Sequence, residues 1–200
     1  MAATSFWQLA VALAMAVIGS RASDTCPAKD EAAVSACLQP MLAYASELQA
    51  QTGAMQFPVQ GANIFEHLCR LFKEFKDCVH DVHCHSLSIE AIDASYGYMC
   101  GDGYQLFRHH VECFAQVETH QKYLNCKRAA TAAITSLQVE KANTNVYFAK
   151  LCSIMDQYLR CSHPIINSSC GQEAWQLVTR VTEDSLRVTM PSCDLRPALM

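Results

Sequence analysis

Twelve cysteines are the side chains of this 200-residue sequence best suited to chemistry. A cysteine can act as a nucleophile, ligate zinc or form a disulfide. The even count lets every cysteine pair, and the sequence has no Cys-x-x-Cys spacing of the kind that favours zinc. We therefore predict six disulfides, with buried reduced thiols or zinc ligands as the alternative. The cysteines are Cys26, Cys37, Cys69, Cys78, Cys84 and Cys100, then Cys113, Cys126, Cys152, Cys161, Cys170 and Cys193.

The cysteine spacing occurs twice along the chain. Successive cysteines are separated by 10, 31, 8, 5 and 15 residues in the first set of six, and by 12, 25, 8, 8 and 22 in the second. A Phe-x-x-Leu-Cys pattern ends at Cys69 in the first set and at Cys152 in the second. We interpret the chain as one structural unit written twice, with repeat 1 at residues 23–106 and repeat 2 at 107–200.

The connectivity of the disulfides stays open, because six cysteines alone allow 15 pairings. We expect bridges within each set and none between the sets. One plausible scheme joins Cys37 to Cys69, Cys84 to Cys100, Cys126 to Cys152 and Cys170 to Cys193. In that scheme the other cysteines close the ends of helical hairpins.

Three histidines within six residues are weak candidates for metal ligands. They are His80, His83 and His85, around Cys84. Imidazole nitrogen suits zinc and copper, but an oxidised Cys84 is no ligand. A solvated polar loop is the alternative, so we assign no metal.

His109 and His110, with Glu112 nearby, form a second polar cluster. Adjacent side chains on a helix point in different directions, so the two imidazoles do not chelate an ion by themselves. The sequence also supplies no defined partner for general-base catalysis.

The segment Tyr96–Gly103 contains a Cys-Gly-x-Gly turn. It resembles the calcium loop of secreted phospholipases A2, and that resemblance implies calcium-dependent hydrolysis. The family also needs a Cys-Cys-x-x-His-Asp helix. This chain has no adjacent cysteines, and its His-Asp pair, His80-Asp81, precedes the loop. Other catalytic, phosphate-binding and dinucleotide motifs are absent, so we predict no enzyme and no cofactor.

The elements that position these residues have helical periodicity. In both sets apolar residues recur at three- and four-residue steps with charges between them. The predicted class is all-α, a disulfide-stapled bundle of about three helices per repeat. Pro40 is expected to restart or kink the first helix, and Gly53, Pro58 and Gly61 to mark a connection. The predicted helices are the one that carries the stripe Phe65–Phe75, then Ala28–Leu48, Leu87–Met99, Leu106–Leu137 with a break near Cys126, Val146–Cys161 and Gln172–Arg187. A turn is predicted at Gly101–Gly103 and a loop at Pro164–Gly171.

Aromatic and sulfur-containing side chains follow the helical stripes. Phe72, Phe75, Met155 and Tyr158 are examples. They are interpreted as a core face packed on neighbouring helices. The alternative is the wall of a cavity for an apolar small molecule.

Residues 1–22 are predicted to be a signal peptide, because the apolar run Phe6–Ile18 is too short to cross a bilayer. A buried N-terminal helix is the alternative. Export fits the disulfides, which persist in oxidising compartments. The later sequence contains no membrane-spanning run, and Asn167-Ser168-Ser169 is a glycosylation sequon in a predicted exposed loop. A net charge of −4 without basic runs argues against nucleic acid as a partner.

The order of Phe65-x-x-Leu68-Cys69, Cys78, Tyr98-Met99-Cys100, Phe107 and Cys113-Phe114 resembles the cysteine-rich helical domains of nematode secreted proteins. The chondroitin proteoglycan 4 type of domain is the nearest named example. The resemblance implies an extracellular, non-enzymatic protein and brings no catalytic residues. The Ser-Gly dipeptides that carry chondroitin are absent from residues 23–200.

Three functions follow in order of preference. The first is a secreted, disulfide-locked helical module that binds an extracellular protein or glycan or has a structural role in a matrix. The second is a carrier of apolar small molecules such as lipids. The third is a calcium-dependent hydrolase.

Overall fold

A computed structural model describes residues 26–52, 62–139 and 143–200 of the chain. Every regular element in these ranges is helical, so the predicted all-α class is confirmed. No helix in these ranges is both long enough and apolar enough to cross a membrane. The predicted signal peptide and the connection marked by Gly53, Pro58 and Gly61 lie outside the described residues. The elements are α1 (Ala28–Thr52), α2 (Ala62–Cys78), α3 (Leu87–Ile92), a π-helix (Asp93–Gly97), α4 (Tyr98–Cys100), α5 (Tyr104–Thr119), α6 (Gln121–Val139), α7 (Thr144–Thr189) and α8 (Arg196–Leu199).

Two prolines lie inside helices rather than at their ends. Pro40 is within α1 and Pro164 is within α7. A proline in a helix lacks an N–H and leaves the carbonyl four residues earlier without its usual donor. Pro40 and Ala36 are exposed, and so are Pro164 and Arg160, so both freed carbonyls lie on faces that water can reach. α1 therefore runs through Pro40, and the expected start of a new helix at this residue is wrong.

α7 differs most from the sequence-based expectation. The predicted loop at Pro164–Gly171 is wrong, because helix continues through it and only Gly171 departs, with φ 85° and ψ 170°. This positive φ is accessible to glycine without a steric cost. The helix bends there and continues to Thr189. α7 therefore consists of two arms, 144–170 and 172–189.

The break in the predicted helix Leu106–Leu137 lies at His120, not near Cys126. His120 has an extended backbone, and its N–H donates to the carbonyl of Val117 over 2.9 Å. The Thr119 hydroxyl donates to the Gln116 carbonyl over 2.8 Å and so competes for the acceptors of the last turn. Cys126 instead lies buried within α6.

All twelve cysteines are disulfide-bonded, and all lie in the described part of the chain. Within each set, the first cysteine pairs with the fifth, the second with the fourth and the third with the sixth. Neither set is bridged to the other. The bonds are Cys26–Cys84, Cys37–Cys78 and Cys69–Cys100, then Cys113–Cys170, Cys126–Cys161 and Cys152–Cys193.

The pairing scheme favoured from the sequence is wrong in all four of its bonds, and helix register explains why. α1 and α2 form an antiparallel hairpin, in which facing residues lie about equally far from the connection. Cys37 precedes Thr52 by 15 residues (52 − 37) and Cys78 follows Ala62 by 16 (78 − 62), so they face each other. Cys69 follows Ala62 by only 7 (69 − 62), which leaves an axial offset of about 12 Å at 1.5 Å per residue. A disulfide spans less than about 7 Å between Cα atoms.

The other bonds follow the same geometry. Cys84 lies in the connection after α2, at the end of the hairpin where α1 begins, and so it meets Cys26. From there α3, the π-helix and α4 return along α2 and bring Cys100 to Cys69. The later set repeats this order, with Cys126–Cys161 closing the hairpin of α6 and α7.

Two hydrophobic clusters form the interior, here called the first core and the second core. α5 supplies Phe107 and Val111 to the first core and Val117 to the second, and Phe114 packs against both. The predicted boundary between residues 106 and 107 falls within this helix, and the assignment to two repeats stays a prediction. The first core contains Val34, Leu38, Met41, Phe65, Leu71, Phe75, Val79, Ile92, Tyr96, Met99, Phe107, Val111 and Leu177. The second contains Val117, Tyr123, Ile134, Leu137, Leu151, Met155, Leu159, Ile166, Ala174, Trp175, Leu186, Met190, Leu195, Ala198 and Leu199.

The second arm of α7 joins the two cores. Leu177 is 1% exposed and belongs to the first core, although it lies far along the chain from the other members. On the same arm, the Ser185 hydroxyl lies 3.5 Å from that of Ser95, and the Arg180 guanidinium lies 5.3 Å from the centre of the Tyr98 ring. The two cysteine sets therefore share one packed body, although no covalent cross-link joins them.

We predict that Leu177→Ala destabilises the whole chain. Truncating a buried leucine costs about 2–5 kcal/mol, and this is the buried side chain that the second arm of α7 supplies to the first core. We expect the free energy of unfolding in urea, without reductant, to fall by that amount in a single transition. Gln176→Ala, one residue earlier and exposed, should change it by no more than about 0.5 kcal/mol. Two separate unfolding transitions in urea, of which the substitution shifts only one, would contradict a single packed body.

Candidate functional site

The histidine-rich segment forms an exposed turn between α2 and α3. His80 Nδ1 lies 3.0 Å from Asp81 Oδ1, and His85 Nε2 lies 2.7 Å from Glu90 Oε1. Each imidazole thus faces a separate carboxylate, and the intervening His83 is exposed. Within residues 26–52, 62–139 and 143–200, no three His, Cys, Asp or Glu side chains are grouped to hold a metal ion. The structure does not bring His80, His83 and His85 together.

The second histidine cluster joins α5 to the second arm of α7. His110 is buried, and its Nε2 lies 3.3 Å from Glu173 Oε2. The neighbouring His109 is exposed and meets His110 edge to face at 5.1 Å. Glu173 follows Gly171 by two residues, so the contact holds α7 just beyond its bend. Its geometry is that of a structural contact that joins two helices.

The glycine turn begins a helix instead of forming an ion-binding loop. The amides of Gly101 and Gly103 both donate to the carbonyl of Tyr98, over 3.2 and 2.9 Å. The carbonyls of the two glycines accept from Tyr104 and Phe107, over 3.0 and 2.9 Å. The backbone oxygens that the phospholipase resemblance would assign to calcium are therefore engaged in the first turn of α5.

The π-helix before this turn is anchored by charge and by packing. Asp93 receives both of its hydrogen bonds from the Lys76 ammonium of α2, over 2.6 and 2.8 Å. Burial raises the pKa of the Tyr96 hydroxyl well above its usual value. A π-turn often marks a functional site, but here Tyr96 is part of the first core and stacks on Phe72 at 6.0 Å.

The aromatic stripes lie in or against the cores. Phe75 and Met155 are buried, and Phe72 and Tyr158 pack against the first and second cores as partly buried side chains. Their placement supports the core interpretation of the stripes over that of a ligand wall.

A buried polar cluster at the junction of α5 and α6 was not predicted from the sequence. Lys127 Nζ lies 2.7 Å from Glu118 Oε2, and both side chains are about 10% exposed. Glu118 also accepts from the Tyr123 hydroxyl over 3.4 Å, and that hydroxyl lies 2.7 Å from the hydroxyl of Tyr158. The cluster connects the break at His120 to the first arm of α7. The ion pair and its hydrogen bonds give the buried charges of Glu118 and Lys127 the partners that burial demands.

A cleft of about 370 Å³ lies between the end of α7 and α8. Leu186, Met190, Leu195 and Leu199 form its floor, and charged side chains such as Arg196 stand at its rim. The Asp194 carboxylate accepts hydrogen bonds from the side chain and the amide of Arg196, and these hold its pKa at about 2. The rim is therefore charged at any physiological pH.

The C-terminal segment beside the cleft is fixed by one tryptophan. Trp175 is buried, and its Nε1 donates to the carbonyl of Leu199 over 2.8 Å. The ring of His163 stacks on it, with the centres 4.2 Å apart and the planes 11° from parallel. Cys152–Cys193 holds the same segment covalently.

Asn167 is exposed on the first arm of α7. The expectation that its sequon lies in a loop is wrong, because the segment is helical. Its modification stays a prediction.

We predict opposite effects from alanine at two neighbouring glycines. A Cβ on Gly101 would lie 2.6 Å from the Gly97 carbonyl oxygen, so the backbone must shift. Gly101→Ala should lower the free energy of unfolding by about 1–3 kcal/mol. A Cβ on Gly97 meets nothing within 4 Å and the backbone there is right-handed helical, so Gly97→Ala should raise it by about 0.4–1 kcal/mol. Chemical denaturation compares both; equal effects would contradict the close approach at Gly101.

We predict that ionisation of the Tyr123 hydroxyl lowers the free energy of unfolding at alkaline pH. Desolvation, then the charges of Tyr158 and Glu118, raise the pKa of this hydroxyl well above its usual value. Because the folded pKa exceeds the unfolded one, the stabilisation is complete below about pH 10 and is lost as the pH rises beyond it. Tyr123→Phe should therefore flatten part of the fall in the free energy of unfolding above about pH 10.

The matched control is Tyr147→Phe. Partial burial also raises the pKa of Tyr147, but this residue lies outside the polar cluster, and the fall should persist in the variant. A wild-type profile that is level across the range would contradict the prediction.

Comparison with known proteins places the chain in a family. It is similar to "Uncharacterized protein ZK370.6" of Caenorhabditis elegans, with 39% identity over 145 residues that cover 72% of this chain and 64% of the relative. The chain thus spans less than two thirds of that relative's length. No solved structure matches it. The family model described as "Domain of unknown function (DUF19)" matches residues 26–194, from the first cysteine to just beyond the last. The chain belongs to the DUF19 family.

Proposed function

We propose that the protein is an extracellular, non-enzymatic helical module, built from two six-cysteine units, that acts by binding an extracellular protein or glycan. The observation that carries this proposal is the complete pairing of twelve cysteines in one order within both sets. Six disulfides persist in an oxidising compartment such as the extracellular space. A framework of this kind provides a rigid binding surface that stays folded outside the cell.

The polar groups that the sequence singled out support a binding role by what they contact. His110 and Glu173 join two helices, Gly101 starts one, and the histidines of the exposed turn face separate carboxylates. General acid–base chemistry needs a base within reach of a substrate site. The His110–Glu173 contact and the glycine turn instead position helices, and His80 and His85 contact carboxylates at the exposed turn.

The character of the surface favours a polar partner. Val146, 42% exposed, and Met200, 88% exposed, are the exposed large hydrophobic side chains of the described residues. An extended apolar interface is typical of obligate subunits and membranes. A mostly polar helical surface fits a reversible contact with a protein or a glycan. The resemblance to chondroitin proteoglycan 4-type domains points to the same setting, a matrix or a body fluid.

A carrier of small apolar ligands is the second candidate. The cleft between α7 and α8 supports it, because its volume of about 370 Å³ lies in the range of small-molecule sites. The side chains of its floor are themselves buried in the second core, so they offer a ligand little apolar surface. We therefore place this function second.

The test begins with the full chain produced in a eukaryotic secretory host. We expect it in the medium, unreactive towards maleimide until it is reduced. Immobilised chain is then titrated with sulfated and unsulfated glycans and with a set of extracellular matrix proteins, and saturable binding is expected.

The control is the same chain after reduction and alkylation, which should bind nothing in a saturable way. Organic extraction and mass spectrometry of the untreated sample distinguish the carrier, since stoichiometric lipid would favour it. A chain retained in the cytosol with free thiols would contradict the proposal outright.

A further inference from the structure

The sequon Asn167-Ser168-Ser169 lies in an unusual position for a glycosylation site. All three side chains are exposed near the end of the first arm of α7, while Ile166 beside them is buried in the second core. The Ser168 hydroxyl donates to the carbonyl of Ile165 over 3.1 Å. A glycan on Asn167 would project into solvent without displacing any core residue.

The folded helix nevertheless does not present a reactive sequon. The glycan-transferring enzyme must engage the amide of Asn167 and the hydroxyl of Ser169 together, so both must point the same way. Residues two apart in an α-helix are rotated by about 200° and do not face each other. The segment must therefore be non-helical when it is modified.

Two disulfides hold this segment as a helix. Cys161–Cys126 fixes one end and Cys170–Cys113 fixes the other. Cys170 directly follows Ser169, the last residue of the sequon. Closing Cys113–Cys170 therefore ties the residue after the sequon to α5 and restricts the extended conformation that transfer requires.

We propose that Asn167 is N-glycosylated, and that transfer occurs only before the Cys113–Cys170 bond closes. In the step, Nδ2 of Asn167 attacks the anomeric carbon of a polyprenyl diphosphate-linked oligosaccharide. The new C–N bond forms as the bond from that carbon to the diphosphate oxygen breaks. The polyprenyl diphosphate leaves with the electron pair of the broken bond, and the proton lost by the amide nitrogen passes to water. The proposal rests on the proposed function, because transfer requires export.

Expression of the full chain in a secretory host tests the site, with the glycosylated fraction read by gel shift and mass before and after an N-glycan-releasing enzyme. We expect a shift in the wild type that is lost in Asn167→Gln and in Ser169→Ala. Ser168→Ala is the matched control, since it changes an adjacent exposed serine but keeps the sequon. A wild type that carries no glycan at Asn167 would overturn the site.

The order of events is tested by removing the bridge. Cys113→Ser with Cys170→Ser should raise the glycosylated fraction of total chain, measured in cells and medium together. Cys26→Ser with Cys84→Ser removes the corresponding bond of the first set and controls for slower folding in general. An equal rise in both variants, or no rise in either, would overturn the competition.

A second acceptor distinguishes failure of this proposal from failure of the proposed function. An Asn-Ser-Thr sequon appended after Met200 reports entry into the secretory pathway. If it is modified and Asn167 is not, the chain is exported and the inference about Asn167 fails alone. If neither is modified and the chain is also absent from the medium, it is not exported and both proposals fail.

Discussion

In each helical hairpin, one disulfide joins cysteines that lie on facing turns of antiparallel helices, Cys37 with Cys78 and Cys126 with Cys161. These bonds set which turn of one helix lies beside which turn of the other. Since an α-helix advances only 1.5 Å per residue, a shift by one turn would move the sulfurs apart by about 5 Å and prevent closure. In this alignment the apolar stripes of each hairpin lie in the two cores, and the remaining helices pack around them.

The outer bonds of each set then close the hairpin to the third helical segment. Cys69–Cys100 and Cys152–Cys193 attach the returning chain, and Cys26–Cys84 and Cys113–Cys170 close the ends. In the second half the buried Glu118–Lys127 pair adds a polar constraint at the junction of α5 and α6. Removing one member of such a pair leaves an uncompensated buried charge, so breaking the pair costs more stability than the intact pair contributes on balance.

Much of the helical fold was predictable, because three- and four-residue periodicity survives in α2, α5 and the first arm of α7. The pairing was harder, since cysteine spacing alone does not give the length of the connection between helices. Pro164 led to the wrong prediction of a loop, because an exposed proline can remain in a long helix when water can reach the freed carbonyl. The bend at Gly171 depends on a positive φ, which a glycine permits but does not by itself predict. The polar cluster around Lys127 depends on helix positions that no local pattern encodes, so this part of the candidate site was missed.

The contribution of Leu177 to the first core has a consequence for the order in which the chain matures. The ribosome delivers residues from the N-terminus, so all six cysteines of the first set emerge long before Leu177 does. During that interval the interior of the first core lacks the side chain that completes it. The growing chain therefore carries every cysteine of the first set together with an unfinished core until Leu177 emerges. It also means that the first set of cysteines, taken without the second arm of α7, would leave a gap in the first core where Leu177 packs.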